Sequence, residues 1–564
     1  MRLLKLKLLL VTFLSFSLNA KDIRLMDNSN HFIVTSNDIS EFVFINHLSE
    51  INTMQVKKDS DYFTKLIVSG YGENAKNGHA ELPVLEKLIN IPYGSTAEVK
   101  IINKEEQVIS LLDYGLENLI FPSQPSLSKS DNAEDVPFYF NESYYNYNDF
   151  HVKELINVNF LGKMRGQQLA RVSISPFSYN PKTYELKIVT KLEVKVIFKD
   201  IDFVAHKNNI QRYYSKEFEH LYKKCINYLP SQTKDVITSY PVKYVIIADA
   251  SFQAAIQPLV EWKTRKGFMV VEGYTNDPNI GNTTSSIHAY LKNMYDNATA
   301  SDPAPTYLLI VGDDSEVPSF TGNTGSHLSD MYYCEFDGGG DFYPEMYFGR
   351  LSATNAGEVE AQVSKTLTHE KYTFSDPSFL DEIVLVAGVD ASMAPTYGNG
   401  QINYGTDNYF NVAHGLTIHN YLYGSGTPIT SDMSQASAAI ISDISEGVSL
   451  ANYTAHCGPS GWSDPSFEIS DISGLQNYDK YGVLIGNCCQ GLRPGEKLYE
   501  ELLIGSDVIQ SEHPRIMQAK EGKLSFEEVL YCIKVIKSAR EQQDDRVVKD
   551  LLLKYIDGYR SDIA

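Results

Sequence analysis

Two short apolar runs toward the C-terminal end constrain the fold of this chain more than any other feature. Ser449-Leu-Ala-Asn-Tyr-Thr-Ala-His456-Cys457-Gly458 and Tyr481-Gly-Val-Leu-Ile-Gly-Asn-Cys488-Cys489-Gln-Gly491 each end abruptly in a reactive side chain close to a glycine. Runs of this length, rich in Val, Leu, Ile and Tyr and bounded by Gly, have the pattern of strands buried on both faces of a sheet. In open parallel sheets, ligands bind at the carboxyl ends of the strands. Two neighbouring parallel strands of this kind would bring an imidazole and a thiol to one rim. That pair is the minimum for nucleophilic catalysis by sulfur, because the thiolate attacks and a nearby His supports that form. A buried Cys is ordinarily an inert small hydrophobe, so the weight falls on placement: both residues end apolar strands beside glycines.

The sequence around these runs agrees with a sheet of that type. From Pro241 onward strands and helices alternate: Lys243 to Ala248 reads as a strand, Phe252 to Lys266 as an amphipathic helix stopping at Gly267, and Phe268 to Glu272 as a strand. Ser285 to Tyr295 is again helical and Tyr307 to Val311 again a strand. Such alternation implies a mostly parallel sheet with helices on both faces. Before Pro241 the pattern is different. Thr64 to Ser69 and Glu185 to Phe198 alternate polar and apolar residues, as half-solvated antiparallel strands do. Gly70-Tyr-Gly72-Glu-Asn-Ala75 nominally fits a dinucleotide fingerprint, but no amphipathic helix follows, so it reads as a turn.

Met1 to Ala20 has Arg2, Lys5 and Lys7, then an apolar run from Leu8 to Leu14, then Ser, Leu, Asn and Ala20. This is the build of a secretory signal peptide, and the run is too short to span a bilayer. The expected mature chain is exported, to the medium or the cell surface, with no membrane span. A net charge of −22 argues against nucleic acid as a partner, which needs a basic footprint. Six cysteines in 564 residues are too few for a disulfide scaffold, and no Cys-x-x-Cys supports a zinc or redox motif.

Ala451 to His456 and Ile485 to Gly491 resemble the His and Cys motifs of the gingipain family of cysteine peptidases, peptidase family C25. The resemblance continues in order through Tyr307 to Asp313, Asp341-Phe-Tyr-Pro-Glu345-Met-Tyr-Phe-Gly-Arg350, and Ile383 to Asp390. It implies a caspase-like α/β catalytic domain over residues 240–491, preceded by a β-rich propeptide over 21–235 that holds the active cleft closed. Protein or peptide substrates follow from it. It implies Cys488 as nucleophile, preferred to Cys489 because Cys488 to Gly491 fits the family's spacing. His456 is then the base and Asp390, at the end of its own strand, the residue that orients it. The residue alone also fits a loop or N-cap acid. Backbone N–H groups of Cys488 and of the residue after His456 would hold the oxyanion.

Asp313, Asp341, Tyr343 and Glu345 lie around the run Gly338-Gly-Gly340. Oxygen ligands on a glycine-bent loop suit a hard cation, and the resemblance implies a structural Ca²⁺ there; Arg350 could instead pair with one of these acids. The basic stretch from Arg212 to Lys224 is a candidate processing region or an ordinary solvated linker. Two departures stand out: His456-Cys457-Gly458 where many relatives have His-Gly, and no acid near Gly400-Gln401 to confer arginine preference. After Gly491 the chain resembles the C-terminal end of nucleotide-sugar epimerases and 4,6-dehydratases. Residues 492–564 therefore read as a foreign helical tail, with a charged helix over Ser525 to Tyr555. Two other functions compete with a secreted peptidase zymogen: an inactive, truncated peptidase-like binding protein, and a sugar-nucleotide enzyme, which lacks its cofactor loop.

Overall fold

The computed structural model describes residues 21–488 apart from breaks at 27–29, 59–60, 74, 126–136, 230–241, 300, 323–327, 339–340, 391–393 and 459. Beyond 488 it describes only 508–510, 517–519 and 535. The signal-like segment 1–20, Cys489, Gly491 and nearly all of the tail thus lie outside the described residues. The chain divides into a unit spanning 1–500 and a unit spanning 501–564. In the second, Val508–Gln510 pairs antiparallel with Met517–Ala519.

The N-terminal region is built from antiparallel strands. They include β1 (Glu41–His47), β2 (Pro83–Ile91), β3 (Thr96–Ser110), β4 (Ile156–Met164), β5 (Gln167–Ile174) and β6 (Glu185–Lys199). β2, β5 and β4 lie in one sheet, and β6 pairs with both β1 and β3 in another. Alternate residues of the two sheets meet in one core: Phe42, Phe44, Val194 and Val196 face Leu85, Ile89, Ala170 and Val172. This follows from the period-2 patterning read in Glu185 to Phe198. The Gly70 region is a turn leading into a two-residue strand, and no helix follows it.

From residue 243 the strands turn parallel. β7 (Lys243–Ala248), β8 (Met269–Tyr274), β9 (Tyr307–Val311) and β10 (Tyr347–Leu351) form one sheet in the order β8-β7-β9-β10. β11 (Glu382–Val386), β12 (Thr417–Tyr421), β13 (Leu450–Ala455) and β14 (Val483–Cys488) form a second, in the order β12-β11-β13-β14. Every pairing within both is parallel. The sequence pattern suggested one parallel sheet; the described strands make two of four.

Both faces of each sheet are covered. In the first, α1 (Gln253–Arg265) places Ala255, Ile256 and Leu259 on Ile246 and Ala248. Helix α2 (Thr284–Asp296) sets Ile287, Leu291 and Tyr295, at i, i+4 and i+8, on the opposite face against Val245 and Ile247. α2 starts at Thr283, whose side chain and that of Ser286 cap each other's backbone. In the second sheet, α4 (Asn399–Asn408) follows α3 (Ala356–Lys371) in the chain and covers one face. It buries Ile402 with Ile383, Leu385 and Ala387. α5 (Met433–Glu446) covers the other face, burying Ala436, Ile440 and Ile444 with Val384, Val386, Ala451 and Tyr453.

The N-terminal sandwich is anchored on the first sheet by the turn between β4 and β5. Arg165, at φ 47°, is 1% exposed. Its Nε donates to the Tyr213 carbonyl at 2.9 Å, and its Nη1 to the carbonyls of Pro305 and Glu345 at 2.6 and 2.7 Å. The guanidinium also lies over the rings of Phe218 and Tyr295, 5.1 and 5.8 Å from their centroids. Two residues earlier, the Lys163 N–H donates to Asp341 Oδ2 and its ammonium pairs with Asp337, both at 3.0 Å. Gly162 is required here, because a Cβ would lie 2.6 Å from Asp341 Cβ and 2.8 Å from the Tyr343 ring. The candidate processing stretch is folded as well: it ends the helix Phe203–Tyr213 and continues through Glu219–Tyr222. Phe218, Tyr222 and Cys225 are buried against Met164 and Leu169, so cutting there requires local opening.

Candidate active site

His456 is the residue immediately after β13, and Cys488 is the last residue of the neighbouring β14, with Ala455 and Cys488 in register. Both therefore reach the same carboxyl-end rim of the second sheet. His456 Nε2 lies 3.2 Å from Asp390 Oδ2, with the two side chains 32% and 24% exposed. Asp390 is four residues beyond the end of β11, which neighbours β13 on its other side. The backbone of His456 is fixed separately: its carbonyl accepts from the Tyr453 hydroxyl at 2.6 Å and from the Ser463 N–H at 2.9 Å. Tyr453 in turn stacks on Trp462 at 4.6 Å between centroids. With Nε2 against the carboxylate, Nδ1 is the ring nitrogen left for proton transfer.

Gly388 makes the Asp390 approach feasible. It has φ 73°, and a Cβ there would overlap the side chain of Ala455. Gly388→Ala is expected to lower unfolding free energy by about 3 kcal/mol, combining left-handed strain with a core clash. It also displaces Asp390, two residues on. Urea denaturation checks this; an unchanged midpoint would contradict it.

Cys488 departs from the expectation. Its sulfur is bonded to that of Cys457, with Cα atoms 5.6 Å apart, so in this structure it is not a thiol. The reason is strand alternation. Ala451, Tyr453, Ala455, Cys457 and Cys488 all pack on the α5 side. Thr454 points the other way and donates to Gln401 Oε1 on α4 at 2.7 Å. Alternate residues point to opposite faces, so His456 falls with Thr454 on the α4 side, away from Cys488. Cys457, the departure from His-Gly, is what Cys488 meets. The free cysteines among the described residues, Cys225 and Cys334, are buried; burial pushes the Cys225 thiol up to about 12 and that of Cys334 well above its ordinary value.

The expected cation ligands do not assemble as one set. Asp313 follows β9 and so lies at the carboxyl rim of the first sheet, while Asp341, Tyr343 and Glu345 precede β10 and lie at the opposite rim. Among the described residues no cluster of three His, Cys, Asp or Glu side chains is arranged to hold a metal ion. Arg350 pairs with none of these acids: it donates to Asp330 at 2.6 and 2.8 Å and to the carbonyls of Gly312 and Val317. At the second rim, Asp341 accepts from the Tyr343 N–H at 3.0 Å, and burial raises its carboxyl above the ordinary range. Glu345 is fully buried; its Oε2 accepts from the Phe336 N–H at 3.1 Å, and Oε1 has no hydrogen-bond partner among the described residues. Burial, reinforced by the charge of Asp337, pushes its carboxyl up to about 10. Sequence reasoning missed Asp337 and Arg165; the second was signalled by a basic residue before Gly166 in a two-residue turn.

The chain is similar to known proteins. The sequence model of Peptidase family C25 matches residues 237–503, and that of Propeptide_C25 matches residues 28–226. The chain is 35% identical over 462 residues to Lys-gingipain W83 of Porphyromonas gingivalis, covering 81% of this chain and 26% of that protein. It is 25% identical over 459 residues to gingipain R2 of the same organism, covering 78% and 58%. The chain thus spans about a quarter of the length of the Lys-gingipains it matches. Among solved structures, one described as giving insight into the zymogenic latency of gingipain K from P. gingivalis shares 32% identity. It covers 32% of this chain and 98% of that one, at a TM-score of 0.31.

Proposed function

We propose that the chain is an exported cysteine endopeptidase zymogen of peptidase family C25, whose model matches residues 237–503 and whose propeptide model matches residues 28–226. The observation that carries the reading is the His456–Asp390 pair at the rim where β14 also ends. Asp390 orients the imidazole and stabilises its protonated form. The attacking thiol is assigned to Cys489, outside the described residues, rather than to Cys488. Cys488 is engaged with Cys457, and Cys489 is the neighbouring thiol of the same sequence motif. His456 takes the thiol proton, the thiolate attacks the peptide carbonyl, and the protonated imidazole delivers that proton to the leaving amine. Water then hydrolyses the acyl-enzyme.

The N-terminal domain acts as the intramolecular inhibitor, and the segment 1–20, also outside the described residues, directs export. A structural Ca²⁺ fits the rim at Asp341 and Glu345, with Asp337 added and Asp313 removed from the expected set. The buried Glu345 oxygen without a partner supports this, since hard carboxylate oxygens are what Ca²⁺ takes. The tail expected from residue 492 is kept as foreign to the peptidase only beyond residue 503, where the family match ends, which DNA sequencing across codons 491–503 tests. For the activity itself, Cys489→Ala and His456→Ala are each expected to cut hydrolysis of a fluorogenic protein substrate by about 10³-fold or more. Full activity in either variant contradicts the reading, and an inert wild type after propeptide removal favours a peptidase-like binding protein.

A further inference from the structure

The disulfide Cys457–Cys488 sits at the level of the reacting groups without belonging to them. Cys457 directly follows His456, and Cys488 directly precedes the thiol assigned above as nucleophile. We propose that this bond is a positioning staple, holding the His456 segment and the end of β14 at a fixed spacing. The inference rests on the reading of Cys489 and His456 as the reacting pair.

Three observations carry it. First, β14 is an edge strand of the described sheet, hydrogen-bonded only to β13, and Val483 and Leu484 on it are exposed. Second, its pairing with β13 ends at Ala455–Cys488. Past that point the chain leaves the sheet: Cys457–Gly458 turns into a small antiparallel sheet with Gly461–Ser463 and Ser466–Glu468. Third, His456 is tied to the β11 side through Asp390 and to its own hairpin through Ser463. Beside the Ala455–Cys488 pairing, its connection to β14 at this level among the described residues is the disulfide, whose cysteines pack on the α5 face. An exported chain meets conditions in which such a bond persists. Reactions of this kind lose roughly 10²-fold for a misplacement of about 1 Å, so a staple here is worth far more to rate than to binding.

The test uses the full-length chain with its propeptide removed by processing. Cys457→Ser, Cys488→Ser and the double variant are assayed on a fluorogenic peptide, alongside Cys489→Ala and His456→Ala. The expected result is a fall in kcat of about 10-fold or more with KM within about twofold, equal in the two single variants and no deeper in the double. Graded treatment of the wild-type enzyme with a dithiol reductant gives a second measurement that needs no substitution. The reductant's thiolate attacks one sulfur, its second thiol closes to a cyclic disulfide, and Cys457 and Cys488 are released as two thiols. Activity, assayed before any alkylation, should fall in step with the appearance of those two thiols, which are counted by mass spectrometry on separately alkylated aliquots. Wild-type kcat in both serine variants overturns the staple alone, provided that Cys489→Ala and His456→Ala remain inactive. Loss of all activity in Cys488→Ser with a gain in Cys457→Ser would make the bond an inhibitory latch on Cys488 and overturn both readings. Activity in Cys489→Ala overturns the catalytic assignment first.

Discussion

Arg165→Ala is expected to loosen the N-terminal sandwich from the catalytic domain by about 3 kcal/mol or more, the scale for removing a buried, multiply hydrogen-bonded charge. The side chain is 1% exposed, and its loss leaves the carbonyls of Tyr213, Pro305 and Glu345 without that donor in a buried site. It also removes the cation from the faces of Phe218 and Tyr295. A lysine cannot restore these contacts, because one ammonium cannot reproduce a planar fork reaching three carbonyls. The measurement is hydrogen exchange over β4 and β5 in the uncleaved chain: protection should fall by about 10²-fold in both Arg165→Ala and Arg165→Lys. Unaltered protection would show that the sandwich is held by something else. This contact lies at the amino-end rim of the first sheet, and His456 and Asp390 lie at the carboxyl-end rim of the second. Arg165→Ala is therefore expected to act on the proposed inhibition and not on the proposed chemistry.

Glu345 gives the second large effect, through pH. In the folded chain burial keeps its proton on up to about pH 10, whereas the unfolded chain releases it near the ordinary value of 4.5. Between those values the folded state binds more protons than the unfolded one, so raising pH removes stability. A single such group contributes at most about 1.4 kcal/mol per pH unit. Unfolding free energy measured in urea should therefore decline from pH 5 to pH 9 in wild type. Glu345→Gln, which keeps the shape and cannot ionise, should flatten that decline. Ca²⁺ bound at this rim would do the proton's work, so added Ca²⁺ should flatten it too. A parallel slope in the variant would contradict the assignment.

Much of this architecture is legible in the sequence. Strand-helix alternation after Pro241 and period-2 alternation before it separate the two domains, and the apolar runs mark β13 and β14. The meeting of Asp390 with His456 follows from two strands that end at one rim. Register is what the sequence does not carry. Whether Cys488 shares a face with His456 depends on how β13 and β14 align, and a slip of one residue reverses the answer. The separation of Asp313 from Glu345 was readable and was overlooked. One follows a strand and the other precedes the next parallel strand, so connectivity alone sends them to opposite rims. The anchoring by Arg165 depends on the approach of two domains, which no local pattern encodes.

We propose that the Cys489 sulfur does the chemistry, with His456 as its base, and that Cys488 does not. The most direct measurement is peptide mapping by mass spectrometry after labelling with an irreversible peptidyl electrophile, without reductant. The expected result is an adduct on Cys489, recovery of Cys457 and Cys488 as a linked pair, and no adduct in His456→Ala. An adduct on Cys488, with Cys457 recovered as a free thiol, would contradict it.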